Sequence, residues 1–348
     1  MIVRPGIPFW LTYLFSLLTA CTLSMSNAFA YQGKWVERTI TQKEFEERFG
    51  GKRDEISRGE AKAYLFELIN EERTNRNLNG VLVDPLAEEV AEEHARQMAT
   101  YRFISHFDLY GNKPFRRYNL AGGTKHISEN VSYWECGLRG YLTRKLVLDI
   151  HRRWMESEPH RKNILNPLHT HVGIGIEIVF DGKSTVVTAV EEFIDDYGEF
   201  SRIPRWVTRN EVFTLSGTIK NGYKLLSVLV GYEELAEPKA PEELNNELNS
   251  YSLPEPCAVI VSEEARGAHL PELPVFPVAK VDKSGKNFRL DISLARLFSS
   301  QSKQGTFNSD SGSQSPQNLP SGYYYFMVLV EGENKKPFIA STQTVELR

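Results

Sequence analysis

Two histidines and a glutamate, His106, His160 and Glu129, are the side chains of this 348-residue chain best suited to do chemistry. Two neutral imidazoles can hold a divalent cation or pass protons, and a carboxylate can fix the tautomer of one of them. Each sits at the end of a readable element. Ser105-His106 follows a helical stretch, and Ile127-Ser128-Glu129-Asn130 opens a strand-like run. His160 lies in the run from Trp154 to Leu165, where Pro159 is expected to stop or bend a helix and leave the histidine just past its end. Metal binding needs both rings neutral, so it should weaken below about pH 6.5, the ordinary histidine value.

Each residue also has a plain structural reading. His106 fits a capping or surface histidine, and Glu129 fits a solvated loop carboxylate. His94, on an apolar helix face, is expected to be a satisfied core histidine. His126 fits a solvated loop or the rim near Glu129. His169 and His171 form an H-x-H step at a polar strand entrance, and Glu191 could border a cleft. Asn130 and Asn163 are expected to satisfy loop backbone groups. There is no G-x-S-x-G, no H-E-x-x-H and no cysteine with a motif-defined histidine. Ser105 adjoins His106, but neighbouring side chains rarely point at one another.

The elements that must position these residues are legible in outline. Phe45 and Phe49 suggest one amphipathic turn in the 31–58 extension. Ser57 with Glu60 is a capping box, followed by Ala61, Tyr64, Leu65, Leu68 and Ile69 on one helical face. Asp84-Pro85 opens a second helix carrying Leu86, Val90, His94 and Met98. Residues 101–132 show no sustained period and are expected to be mostly loop. A third helix has Leu142, Leu146, Ile150 and Trp154 at i+4 steps. Residues 172–193 read as a hairpin around Asp181-Gly182. From about 205 the pattern turns to strands: 212–219 and 224–232 joined by an Asn221-Gly222 hairpin turn, then 258–261, 288–294, 323–330 and 338–347. An acidic, proline-bearing connection spans 233–256, and the Ser/Gln-rich stretch 299–322 is expected to be a mobile loop.

Taken in order, these stretches resemble the CAP superfamily of cysteine-rich secretory proteins, antigen 5 proteins and pathogenesis-related proteins, in its bacterial, SCP-like branch. The resemblance runs from about Ala61 to Phe193. It includes Leu68-Ile69-Asn70-Glu71-Glu72-Arg73, His94-Ala95-Arg96-Gln97-Met98, the Ser-His and Glu-Asn steps, the Trp-Met…His-Arg-x-Asn-Ile-Leu run and Val172-Gly173-Ile174-Gly175. It implies a CAP-type α-β-α sandwich over 59–200, and the strand pattern over 205–348 reads as an all-β domain, a β-sandwich with an immunoglobulin-like one as a candidate, so that the fold class is α+β. It also implies a cleft of two histidines and two glutamates. His106, His160 and Glu129 match three of these, whereas Ser157 takes the place of the second glutamate. Glu156 and Glu158 flank it about 100° to either side on a helix.

The functional expectations follow. The cleft is expected to bind a divalent cation, Zn2+ or another, at His106 and His160, or a small lipid or cell-envelope ligand. A metal- or histidine-assisted hydrolase and an adhesion protein acting through its C-terminal domain are the alternatives. The loss of the second glutamate favours binding over catalysis. A net charge of −4 without a long basic run argues against nucleic acid as a main partner. Residues 1–30 read as a targeting segment: cleavage after Ala30 would release the protein, whereas Leu18-Thr19-Ala20-Cys21 resembles a lipobox that would anchor it through Cys21. Either route puts the folded part outside the cytoplasm. Cys136 and Cys257 remain, as a disulfide or as two buried thiols.

Overall fold

A computed structural model describes residues 34–37, 40–247, 250–261, 275–277, 280–282, 284–299, 319–332 and 336–348. The expected leader with Cys21, and most of the 299–322 stretch, lie outside the described residues.

The first unit is a five-stranded sheet between two layers of helices. Its strands are β1 (Lys34–Glu37), β2 (Leu82–Val83), β3 (His126–Cys136), β4 (His171–Phe180) and β5 (Thr185–Asp195), in the order β1-β3-β5-β4-β2. One face of β3 and β5 carries Trp134, Cys136, Val187, Ala189 and Phe193. These pack with helices α1 (Gln42–Phe49), α2 (Arg58–Thr74) and α5 (Arg144–Glu156). The alternate positions Ile127, Val131, Tyr133, Val190 and Ile194 turn to α3 (Pro85–Tyr101) and α4 (Pro114–Ala121), as the period of two requires.

Local signals set these boundaries. Ser57 Oγ accepts from Glu60 N at 3.2 Å while Glu60 Oε2 accepts from Ser57 N at 2.8 Å, the expected capping box of α2. Asp84 accepts from Ala87 N at 2.8 Å with Pro85 opening α3. Arg73 is wholly buried and donates to the carbonyls of Asn79, Ile164, Asn166 and His169, tying α2 to the chain beyond the third long helix.

Two expectations in this unit need correction. The supposed loop 101–132 contains α4, whose first position is Pro114, and β3 begins at His126. Eight residues are too few to show a helical period. Pro159 does not leave His160 beyond a helix end. It opens a new short helix, α6 (Glu158–Ile164), after a break at Ser157. Proline is well accommodated in a first helical turn, where its missing N–H has no partner to lose.

The second unit has two sheets. One is β11-β10-β9-β14-β15-β7, made of β7 (Trp206–Val207), β9 (Tyr223–Glu233), β10 (Pro256–Val261), β11 (Val275–Pro277), β14 (Gly322–Gly332) and β15 (Pro337–Leu347). The other is β12-β13-β8-β6, made of β6 (Gly198–Phe200), β8 (Phe213–Ile219), β12 (Lys280–Val281) and β13 (Asn287–Ile292). Phe213, Leu215, Phe288 and Leu290 of the second sheet share one core with Val228, Val230, Phe326 and Val345 of the first. Asn221-Gly222 is therefore not a hairpin turn. Strands β8 and β9 belong to different sheets, and the turn carries the chain from one to the other. Burial of both strands against the shared core decided their pairing over the local turn signal.

Two short helices belong to this half, α7 (Pro241–Glu247) in the acidic connection and α8 (Leu294–Ser299). The units meet along a polar seam, where Asn119 Oδ1 accepts from Thr344 N and Oγ1 at 3.0 Å. Cys136 and Cys257 are free thiols. Among the described residues no helix is long and apolar enough to cross a membrane.

Candidate functional site

The site grows from the C-terminal end of α3. The helix closes on Arg102 in the left-handed region, and the chain then carries Ser105 and His106 across the end of the sheet. His94 on α3 fixes this turn: its Nε2 donates to Ser105 O at 2.8 Å, and burial holds its ring neutral. This is the expected core histidine. Ser105 Oγ accepts from Phe107 N at 3.0 Å, which gives no support to a Ser-His hydrolase.

His106 is 7% exposed and its Nδ1 donates to Glu129 Oε1 at 2.7 Å. The other oxygen of Glu129 pairs with Arg117 of α4, whose Nη1 also donates to His106 O at 2.6 Å. Glu129 lies directly across the β3–β5 ladder from Glu192, which is 3.4 Å from Arg117 Nη2. Burial raises the pKa of both carboxyl groups, while Arg117 opposes the shift. Two carboxylates share one buried cation, so the pair retains a proton more readily than solvated glutamates. Tyr251, from the connection beyond α7, completes this side. Its Oη accepts from Glu129 N at 2.8 Å, and its ring lies 4.8 Å from that of His106.

His160 sits on α6, 9% exposed, with Nδ1 sharing a hydrogen bond of 2.8 Å with Ser157 Oγ. Ser157, expected to take the place of a second cleft glutamate, thus orients the imidazole through a neutral hydroxyl. Asn130 Nδ2 donates to His160 O at 3.2 Å and to Glu191 Oε2 at 2.9 Å, and Asn163 Nδ2 donates to Glu129 O at 3.1 Å. Both asparagines play the structural role expected of them.

The two imidazoles are close enough that a charge on His106 lowers the pKa of His160. Burial and Arg117 depress His106 to about 3, while burial and His106 depress His160 to about 4. Both rings stay neutral far below the pH 6.5 expected from sequence.

Other candidates lie elsewhere. His169 is buried and its Nδ1 meets Asp195 Oδ1 at 2.6 Å, while His171 Nδ1 bonds Thr170 Oγ1 at 2.9 Å. The H-x-H step lies at the entrance of β4 with polar partners, as expected, but its two rings are in different environments. His126 joins the seam, its Nδ1 2.8 Å from Thr342 Oγ1, and does not line the rim. Arg117, Glu192 and Tyr251 were not singled out from sequence. Consecutive glutamates in the mostly apolar Val186–Phe193 run were the available signal, since one of two neighbours must face each buried side of a central strand.

Glu191, on the opposite face from Glu192, is wholly buried, and its Oε1 has no hydrogen-bond partner among the described residues. Burial raises its pKa to about 8 against the bond from Asn130. The folded state therefore holds a proton that the unfolded chain releases near pH 4.5, and stability falls as pH rises from there to about 8. Glu191→Gln is expected to remove this loss. Urea midpoints should show the variant more stable by on the order of 2 kcal/mol at pH 8 and near parity at pH 4.5. A pH-independent difference would refute the assignment.

Residues 66–191 match the CAP family, the cysteine-rich secretory protein family. YkwD, an uncharacterized protein of Bacillus subtilis strain 168, is 30% identical over 111 residues, which cover 32% of this chain and 40% of that protein. An extracellular protein containing an SCP domain from Bacillus anthracis aligns over 45% of this chain and 44% of its own, at 24% identity and a TM-score of 0.33. An outer surface protein from Borrelia burgdorferi aligns over 40% of this chain and 96% of its own, at 21% identity and a TM-score of 0.32. The chain thus spans less than half the length of YkwD and of the B. anthracis protein.

Proposed function

With residues 66–191 forming a domain of the cysteine-rich secretory protein (CAP) family, we propose that this is an extracytoplasmic binding protein whose cleft takes its ligand through the paired imidazoles of His106 and His160. One observation carries the reading: each ring has its Nδ1 engaged inside the protein, by Glu129 and by Ser157. Each ring would then meet a ligand through Nε2. A histidine braced by a carboxylate in this way is the usual support of a metal-binding or hydrogen-bonding imidazole.

A divalent cation such as Zn2+ fits the two nitrogens, but the donor set is short. Among the described residues no three His, Cys, Asp or Glu side chains group at metal-binding spacing. Two imidazoles would leave the remaining positions to water or to oxygens of a cell-envelope or lipid ligand. A hydrolase finds less support, because Glu129 and Glu192 are locked to Arg117 and Ser157 cannot serve as a carboxylate base. The placement outside the cytoplasm follows from the leader, whether cleaved after Ala30 or anchored at Cys21. The two-sheet unit, read as an immunoglobulin-like β-sandwich, would hold the domain against its partner surface.

Zinc titration by calorimetry tests the reading. His106→Ala and His160→Ala are each expected to lower affinity at least tenfold. Equal affinity in all three proteins would sink it.

A further inference from the structure

We propose that the connection between β9 and β10, through its residues 239–247 and 250–254, is a strap that closes the candidate site and must lift before a ligand reaches His106. The inference rests on where the site lies, not on which ligand it takes.

The strap grips the segment that carries His106 from both ends. On one side, Leu244 of α7 is 2% exposed and joins the core formed by Ala95, Met98, Phe103 and Ile104. Asn245 clamps the backbone there: its Oδ1 accepts from Ile104 N at 3.2 Å and its Nδ2 donates to Arg102 O at 3.0 Å. On the other side, Lys239 N donates to Leu109 O at 2.9 Å and Lys113 Nζ donates to Ser252 O at 2.8 Å. Between these grips stands Tyr251. Its ring packs against His106 and, at 5.5 Å, against Phe115, and its hydroxyl takes the Glu129 N–H.

These contacts suit a closure that can open. The helix has seven residues, too few to persist alone, and Glu242, Glu243 and Asn246 are exposed. The grips are the buried Leu244, which joins the core around α3, the partly buried Tyr251 and Leu253, which pack against the core of Phe115 and Tyr118, the buried Pro254, one asparagine side chain and a few hydrogen bonds to backbone. Such segments open at a fraction of the global unfolding free energy. Opening would expose the His106 ring and the Glu129 N–H together. A ligand that needs the open state binds with an apparent affinity reduced by the open fraction, so the strap sets the affinity of the site.

Carbethoxylation of the full chain by diethyl pyrocarbonate, read residue by residue by peptide mass spectrometry, tests this. His171, partly exposed, is the reference, and His151, buried on α5 away from the strap, reports global unfolding. Tyr251→Ala and Asn245→Ala are each expected to raise the His106 rate at least tenfold relative to His171, with His151 unchanged. An unchanged His106 rate in Tyr251→Ala overturns the proposal. So does a rise matched by His151, which would mean that the whole unit opens. The measurement needs no metal, so failure to bind zinc would defeat the cation reading and leave the strap standing.

Discussion

Gly175→Ala is expected to cost about 4 kcal/mol. A Cβ at Gly175 would stand 2.1 Å from Ala91 O and 2.2 Å from Ala91 C. One at Gly173 would stand 2.1 Å from Ala87 C and Glu88 N. These atoms are helix backbone and cannot rotate aside. Helix α3 lies directly on β4 at two positions one turn apart, which the Gly-x-Gly spacing of a strand matches. Relieving the clash requires α3 to move by more than about 1 Å, and that loosens Ala91, Ala95 and Met98 in the core beneath it. The same helix carries His94, whose bond to Ser105 O sets the turn into His106. The site should therefore loosen with the fold. Urea midpoints measure the cost, with Gly59→Ala as the control. That glycine starts α2 with open space around it, its nearest neighbour being Ser57 Oγ at 3.9 Å, and alanine there should be neutral or stabilising. A Gly175→Ala loss within about 1 kcal/mol of the control would show that α3 is free to shift.

The difference between what the sequence disclosed and what it hid follows the range of the interactions. The capping box at Ser57, the Asp84-Pro85 helix start and the β4–β5 hairpin are set within a few residues, and each appears where the residues place it. His106, Glu129 and His160 were legible because their neighbours carry a recognisable order. Arg117 and Glu192 were not, because their roles depend on β3 pairing with β5 in one register. Tyr251 was further still from view, since its contact with His106 spans the boundary between two units. Asn221-Gly222 shows the reverse error: a strong local signal set the turn correctly but not which strands would pair across it.

Arg117→Met is expected to destabilise the first unit by about 3–5 kcal/mol, the cost of removing one partner from a buried ionic cluster. Arg117 is the shared counter-charge of Glu129 and Glu192 and a donor to the carbonyls of His106 and Asn112. Methionine fills the volume but leaves two buried carboxyl groups and two carbonyls without their cation. The pH dependence identifies the cause. Burial already raises both carboxyl pKa values while Arg117 lowers them, so its loss raises them further. A carboxyl group with a raised folded pKa loses stability as pH climbs through that value. The deficit of Arg117→Met should therefore be larger at pH 8 than at pH 5.5, where the protonated groups need no counter-charge. Lysine should rescue only part of it, because a single ammonium cannot span two carboxylates and two carbonyls in the fixed fork of a guanidinium. In a Glu129→Gln/Glu192→Gln background the same substitution should cost markedly less, since no buried anion remains to be orphaned. Equal costs in both backgrounds would mean that Arg117 acts through packing alone. In that case His106, whose low pKa depends partly on this cation, should not move toward its ordinary value when Arg117 is removed. An NMR titration of the His106 ring in Arg117→Met decides between the two, and the upward shift is the expected result.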